Sequence, residues 1–349
     1  MKKILAGILA GVMCFGLLAG CGGSDDAAAS APAASAPAAS APAAAPADKD
    51  VELTLVMALR DEWLSELEKA AQAAAEEIGG INLTTQDANN DVSKQLQYIE
   101  TARNAGTAAI IVNMVDPSTA AQCVEAAGDV PVVFVNRFPS DDSVLNEKVV
   151  YVGSDEMTSG AFQAEWLAQW AKDNGKSEVK YVLLNGTLGQ TSTTNRTLSF
   201  QQGMEAAGIT ATMVGEALAC DFDRAKAMDK FTPMIGTSEF DAVVSNNDAM
   251  ALGVVEALES KGVDPSSLPI LGIDASKDGR VAIKEGKLAM SVFQDPRGQG
   301  KGALYAALNL ANGEDIAKDS GYEKDSTGFI LWVPFEPVTA ENVAEYDNR

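Results

Sequence analysis

Histidine is absent from all 349 residues. That removes the commonest general base and the commonest metal ligand, so any catalysis would fall to carboxylates and lysines. Basic residues are scarce: 26 Lys and Arg face 49 Asp and Glu, for a formal charge of −23. Nucleic acid needs a basic surface against its phosphates, so this charge argues against such a partner. Cysteine is limited to four residues. Cys14 lies near the N-terminus, and Cys21 follows it. Nothing in the spacing of Cys123 and Cys220 suggests a disulfide, and both read as separate small buried residues. The apolar run over residues 4–19 follows Lys2 and Lys3 and is shorter than the about 20 residues of a comfortable membrane span. A basic start, a short apolar core and small residues at its end make a secretory signal over residues 1–20, with Cys14 inside it.

That signal stops at LAGC, which resembles the lipobox of bacterial lipoproteins, whose cysteine takes a lipid and becomes the new N-terminus. Cys21 is therefore the expected lipidation site. Residues 21–50 follow as an Ala/Pro/Ser-rich tether in which SAPAA repeats. A proline in every unit breaks the helix that alanine favours, and nothing large is available to bury, so the segment reads as extended and semi-stiff. A lipid, a spacer and a domain place the protein outside the cytoplasm, in the periplasm or on the outer face of the cell membrane.

Roughly 300 residues remain from Val51, enough for two lobes of ordinary size. Strand-length apolar runs alternate with helical patterns throughout. The runs are VELTLVM, INLTT, AAIIVN, VPVVFV, VVYV, VKYVLL, ITATMV, DAVVS, LPILGI, LAMSVF and FILWV. Helices are predicted over 61–79, 91–106, 117–128, 155–174, 194–208, 223–235, 247–262, 276–286 and 297–313. In the first, Leu64, Leu67, Ala71, Ala74 and Ile78 form one apolar stripe. Asp116 followed by Pro117 is a cap with proline at the first helical position. Val/Ile-rich strands separated by helices imply parallel sheets covered on both faces, and the number of units implies two similar doubly wound α/β lobes.

In open α/β sheets, ligands bind beyond the carboxyl ends of the strands. The residues there are Arg60, Asp61, Glu62 and Trp63, then Asn113, Asn136 and Arg137. The loop NGTLGQTSTTNR follows with Gln190, Ser192 and Arg196, and after it Phe222, Asn247, Asp274 and Gln294. Planar amides, carboxylates and guanidinium groups hydrogen-bond in fixed planes, and aromatic faces cover apolar C–H surface. That combination suits a ring of hydroxyls. No nucleophile is paired with a base. Each residue has a plainer alternative: Asn247 and Asp274 as helix caps, Arg196 as a surface arginine, Trp63 as a core residue. The convergence on one edge of the sheets favours a site.

QDANNDVSKQLQYIETARNAGTAAIIVNMVDP, VPVVFVNRFPSDD, YVGSDEMTSG, SNNDAMALGVVEAL, LGIDA and SVFQDPRGQG together resemble the type I periplasmic sugar-binding proteins of ABC importers. The details VNR, LGQTSTTNRT and RAKAMD look nearest to the rhizopine- and inositol-binding-like branch. The resemblance runs from Val51 to the end. It implies two lobes joined by three crossovers around a ligand cleft, one of residues 51–135 with 293–331, the other of 136–292 with 332–349. It implies ligand-facing roles for Asp61, Trp63, Asn113, Arg137, Arg196, Phe222, Asn247, Asp274 and Gln294, with Asn247 directing its amide at the ligand. Gln190 and Ser192 stand where the galactose/glucose binders carry a histidine and an aspartate. The calcium loop of those binders is also missing before VKYVLL, so galactose itself and a bound calcium are both in doubt.

Two decoys fall away. DASKDGRVAIKE has the spacing of a calcium loop, but GRVAIKE reads as helix and LPILGI as strand, which leaves no entering helix. GQGKG at Lys301 lacks the first glycine and the Ser or Thr of a phosphate loop. No metal and no cofactor is expected. The expectation is a monomeric, non-enzymatic solute-binding lipoprotein that captures a neutral monosaccharide or cyclitol and delivers it to ABC permease subunits. The alternatives are a sugar or furanose-autoinducer receptor signalling to a chemoreceptor or sensor kinase, and an enzyme on the same lobes.

Overall fold

The computed structural model describes residues 50–349. The signal, Cys21 and the tether up to residue 49 lie outside the described residues. The first sheet is built from β1 (Val51–Met57), β2 (Ile81–Asp87), β3 (Ala109–Val112), β4 (Val132–Val135) and β5 (Val149–Gly153). Between these strands run α1 (Glu62–Ile78), α2 (Val92–Ala105) and α3 (Ala120–Ala127). The second sheet holds β6 (Glu178–Asn185), β7 (Thr210–Met213), β8 (Leu218–Ala219), β9 (Ala242–Ser245), β10 (Ile270–Leu271) and β11 (Met290–Gln294). Its helices are α4 (Glu156–Asp173), α5 (Thr191–Ala206), α6 (Arg224–Phe231), α7 (Asp248–Ser260) and α8 (Lys277–Lys284). The chain then returns through α9 (Pro296–Asn312) and β12 (Ile330–Trp332) to the first lobe, and ends in β13 (Phe335–Thr339) in the second.

The first sheet has the order β12-β5-β4-β3-β1-β2, and the second runs β13-β11-β10-β9-β6-β7 with β8 also on β6. Every pairing among the named strands is parallel except β13 on β11. Both sheets reverse direction at matching places, between β1 and β3 in one and between β6 and β9 in the other. Crevices open at such reversals, beyond the carboxyl ends of the strands.

Burial explains the strands. β3 and β4 are buried along their whole length, as the central strands of a doubly covered parallel sheet must be. The α1 stripe sinks Leu64, Leu67, Ala71 and Ala74 against that sheet, with Ile78 half-buried. Cys123 and Cys220 are buried and unpaired in different hydrophobic clusters, as their spacing predicts.

Three boundaries differ from expectation. β5 pairs with β4 and β12, so the first change of lobe falls after Gly153 and not at 136. β11 stays in the second sheet through Gln294 and β12 in the first through Trp332, which moves the other two crossings by one or two residues. The predicted strand LPILGI shrinks to Ile270–Leu271; Pro269, without an N–H for the ladder, bounds it at the N-terminal end. β13 was not predicted. Its FEPVT carries a proline that only an edge strand tolerates.

α1 and α9 pack at backbone distance. A Cβ added to Gly300 would lie 2.3 Å from Leu67 O and 3.1 Å from the Ala70 Cβ. Gly300→Ala is therefore expected to destabilise the protein by roughly 1–3 kcal/mol through overpacking, read as a lower melting midpoint. An unchanged midpoint would show that the two helices separate freely.

Candidate functional site

The carboxyl ends of the strands meet across the interlobe cleft, where the chain crosses between lobes. α4 starts directly after the first crossing, and Glu156 stands in its first turn. Arg196, on α5, is 4% exposed. Its Nε donates to Glu156 Oε2 at 2.7 Å and its Nη2 to Glu156 Oε1 at 3.0 Å. The remaining bonds run from Nη1 to Asn246 O at 2.6 Å and from Nη2 to Gln294 Oε1 at 3.3 Å. Burial pulls this guanidinium down, but Glu156 and Asp274 outweigh it and hold it above its ordinary value. Arg196 is thus no surface arginine. It joins the residue after the first crossing to the residue before the second.

Asp274 lies three residues beyond β10, bridged to Phe293 of β11, with φ +111, and Ala275 follows at φ +44. Conformations of this kind in non-glycine residues cost on the order of 1–3 kcal/mol each and cluster at binding sites. The Asp274 carboxylate makes no side-chain hydrogen bond among the described residues; its nearest charge is Arg196 Nη1 at 3.9 Å. Burial pushes the carboxyl well above the usual range, against the pull of Arg196. The cap reading does not apply, because Ser276 Oγ accepts from Gly279 N and caps α8 instead. α8 also runs through the segment with calcium-loop spacing, and its Asp278 pairs with Arg224 at 3.2 Å.

From the first lobe, Trp63 Nε1 donates to Gln294 O at 3.1 Å, a direct tie to the end of β11. Gln294 is itself buried, and its Nε2 approaches Glu156 Oε1 at 3.4 Å. Asp61 caps α1 by accepting from Leu64 N at 2.7 Å, and keeps solvent access at the cleft mouth. Crowding by neighbouring atoms raises its carboxyl, while Leu64 N–H and Arg137 pull it down. Arg137 donates from Nη1 to Met114 O and Val115 O, at 2.8 and 2.9 Å, and burial lowers its guanidinium. Close by, Thr191 Oγ1 crosses the cleft to Phe138 O at 3.3 Å.

α5 begins at Thr191, earlier than expected, so Ser192 and Arg196 stand on a helix and Gln190 at its N-cap position. The side chains of Gln190 and Ser192 have no hydrogen-bond partner among the described residues. Phe222 holds φ +60, with its ring against Gly186 and Arg196 Cζ 6.0 Å from its centroid. Asn247 caps α7 by accepting from Met250 N at 3.0 Å, which leaves only its Nδ2 for the cleft. Asn113 is fully buried: Oδ1 accepts from Ala58 N at 3.3 Å, and Nδ2 donates to Val135 O at 3.2 Å. Its amide fastens three strand ends together. Sequence reading missed Glu156, which looks like a second capping acid beside Asp155, and Asn246, whose Oδ1 accepts from Gly186 N at 3.2 Å. Hollows of about 570 and 360 Å³ lie elsewhere, beside α5 and β7 and beside α2 and β1.

Two α/β lobes, three crossings and unpartnered polar groups on facing strand ends define a hinged binding protein. Its relatives agree. The profile of the periplasmic binding protein domain matches residues 54–315. A Rhizobium meliloti protein to which rhizopine binding is ascribed is 34% identical over 278 residues, 79% of this chain and 85% of that one. The D-galactose/methyl-galactoside binding periplasmic protein of Haemophilus influenzae is 30% identical over 316 residues, 86% of this chain and 92% of that one. A solute binding protein of an ABC transporter from Bacillus halodurans, solved with bound myo-inositol, is 30% identical with a TM-score of 0.73. It covers 87% of this chain and 99% of its own. The chain belongs to the periplasmic binding protein family, in its type I sugar-binding group.

Glu156→Gln leaves Arg196 buried beside a neutral amide. Stability is expected to fall by roughly 3–5 kcal/mol in urea unfolding, the usual result of removing one partner of a buried pair. An unchanged stability would mean that Asp274 alone neutralises the guanidinium.

Proposed function

We propose that this chain is an extracytoplasmic, lipid-anchored solute-binding protein that captures a neutral monosaccharide or cyclitol in the cleft and delivers it to an ABC permease. One observation carries the reading. The Asp274 carboxylate is half-buried without a hydrogen-bond donor, next to Arg196, whose guanidinium carbon lies 6.0 Å from the centroid of the half-buried Phe222 ring. Vicinal hydroxyls supply the missing donors and accept from the guanidinium, while the ring covers the C–H face of a sugar or cyclitol. The relatives' rhizopine, galactoside and myo-inositol ligands favour a compact polyol, and myo-inositol is the first probe to use. Asp61, Trp63 and Arg137 approach from the other lobe, with Gln190, Ser192, Asn247 and Gln294 completing the rim. Ligand contacts from both lobes stabilise the closed form, and the permease reads that closure.

Asp274→Ala is expected to weaken myo-inositol binding by at least about 2 kcal/mol, close to thirtyfold, with Asp274→Asn between it and wild type. Hydroxyl donors favour the ionised carboxylate, whereas burial in the empty cleft favours the protonated one. Binding therefore releases a proton wherever the free carboxyl is protonated, and affinity falls as pH is lowered through the raised titration of Asp274. Calorimetry across this range should show the decline in wild type and a weaker dependence in Asp274→Asn, where only the buried Asp248 carboxyl, raised to about 7, still titrates behind the turn. Wild-type affinity in the alanine variant would remove Asp274 from the site.

The anchor has its own test. Cys21→Ser is expected to release a folded protein from membranes, and continued detergent-sensitive membrane fractionation would exclude lipidation at Cys21.

A further inference from the structure

Asp248 is the first residue of α7 and is fully buried, yet it is neither a cap nor a cleft residue. Its Oδ1 accepts from Ser291 Oγ at 2.6 Å, and its Oδ2 accepts from Ser276 N at 2.7 Å. Ser291 Oγ in turn accepts from Ala275 N at 2.9 Å. Asp274 N donates to Val292 O at 2.7 Å, and Arg280 Nη1 donates to Ala275 O at 2.5 Å. These bonds account for the three consecutive N–H groups from Asp274 to Ser276, and for the Ala275 carbonyl. They enclose the two residues whose φ is positive without glycine. The fold makes room for the carboxylate: a Cβ on Gly272 or on Gly279 would lie 2.0 Å from Asp248 Oδ1 or Oδ2.

We infer that Asp248 and Ser291 are positioning residues for ligand recognition, holding the strained Asp274–Ala275 turn so that the Asp274 carboxylate is presented to the cleft. The inference rests on the reading that Asp274 binds a polyol. Neither residue touches the ligand. Ser291 passes the charge of Asp248 to the Ala275 amide, a linkage that stiffens as both bonds polarise each other. Left to itself, a turn with these dihedrals relaxes toward negative φ, which swings the carboxylate away from Arg196. A helix cap needs none of this, and Asn247 already supplies the cap of α7.

The charged groups around Asp274 are Arg196 on α5, Asp248 on α7, Asp61 at the start of α1 and Glu156 on α4. Arg280 on α8 faces Asp248. A change in the turn therefore alters the Asp274 titration as well as its position.

The test uses Ser291→Ala and Asp248→Asn in the purified protein. Without ligand, amide exchange at Ala275 should quicken by about tenfold or more in Ser291→Ala, and at Ser276 in Asp248→Asn, relative to the amides of β9. The Asp274 titration midpoint, followed by carbon NMR, should shift in both. With myo-inositol, calorimetry should show binding about tenfold weaker in Ser291→Ala, and the loss of affinity should be accompanied by a shifted pH profile. Unchanged exchange and titration in Ser291→Ala, or unchanged affinity despite faster exchange, would overturn the inference. If Asp248→Asn does not fold, Ser291→Ala decides alone. If wild type binds neither myo-inositol nor other neutral polyols, the proposed function fails, while exchange and titration still decide whether the pair holds the turn.

Discussion

Two opposite charges removed from water together cost several kcal/mol each unless their geometry is near ideal and their remaining donors are satisfied. Arg196 and Glu156 come close to that condition with a two-point contact at 2.7 and 3.0 Å, and with Asn246 O and Gln294 Oε1 taking two of the three remaining guanidinium N–H groups. The position of the pair gives it reach. Glu156 follows the first crossing, Gln294 precedes the second, and Asn246 ends β9 at the reversal of the second sheet. Once Arg196 is placed, Gln294 O is held where Trp63 of the other lobe can donate to it. The carboxylate of Asp274 then has one cation at 3.9 Å and no further partner. One Nη1 N–H of Arg196 and the Asp274 carboxylate are thus left side by side without a hydrogen-bond partner among the described residues.

That arrangement fits non-covalent capture. Histidine is absent, and among the described residues no lysine bonds to Arg196, Glu156 or Asp274. The acids near Asp274 oppose one another's ionisation, while the arginines hold them in place. Under the proposed function, such a field favours a neutral guest rich in hydroxyls, which donates to Asp274 without bringing a charge that would need its own counterion.

Much of this was legible in the sequence, because parallel α/β lobes repeat one pattern of burial. VVFV at β4 and AVVS at β9 read as buried strands and are so. The edge β13 was not legible. It is short, it carries a proline, and its pairing with β11 joins residues far apart in the chain. For the candidate site, the strand-end rule singled out Trp63, Arg196, Asp274 and Gln294, which the structure brings together, since position after a strand is written in the sequence. It did not separate side chains facing outward from those turned onto neighbouring backbone, and so Asn113 was placed with the ligand group although its amide joins strand ends. Glu156 escaped because one acid beside another at a helix start looks like ordinary capping. Only tertiary structure brings it to Arg196.

The threading of the chain bears on how the protein comes into being. The first lobe is incomplete without α9 and β12, and the second without β13, all of which follow Gln294. Each sheet draws on discontinuous stretches of chain, so severing the molecule at any one crossing leaves at least one sheet short of a strand. Until the stretch after Gln294 is in place, the edges that β12 and β13 cover stay open to pairing with another chain.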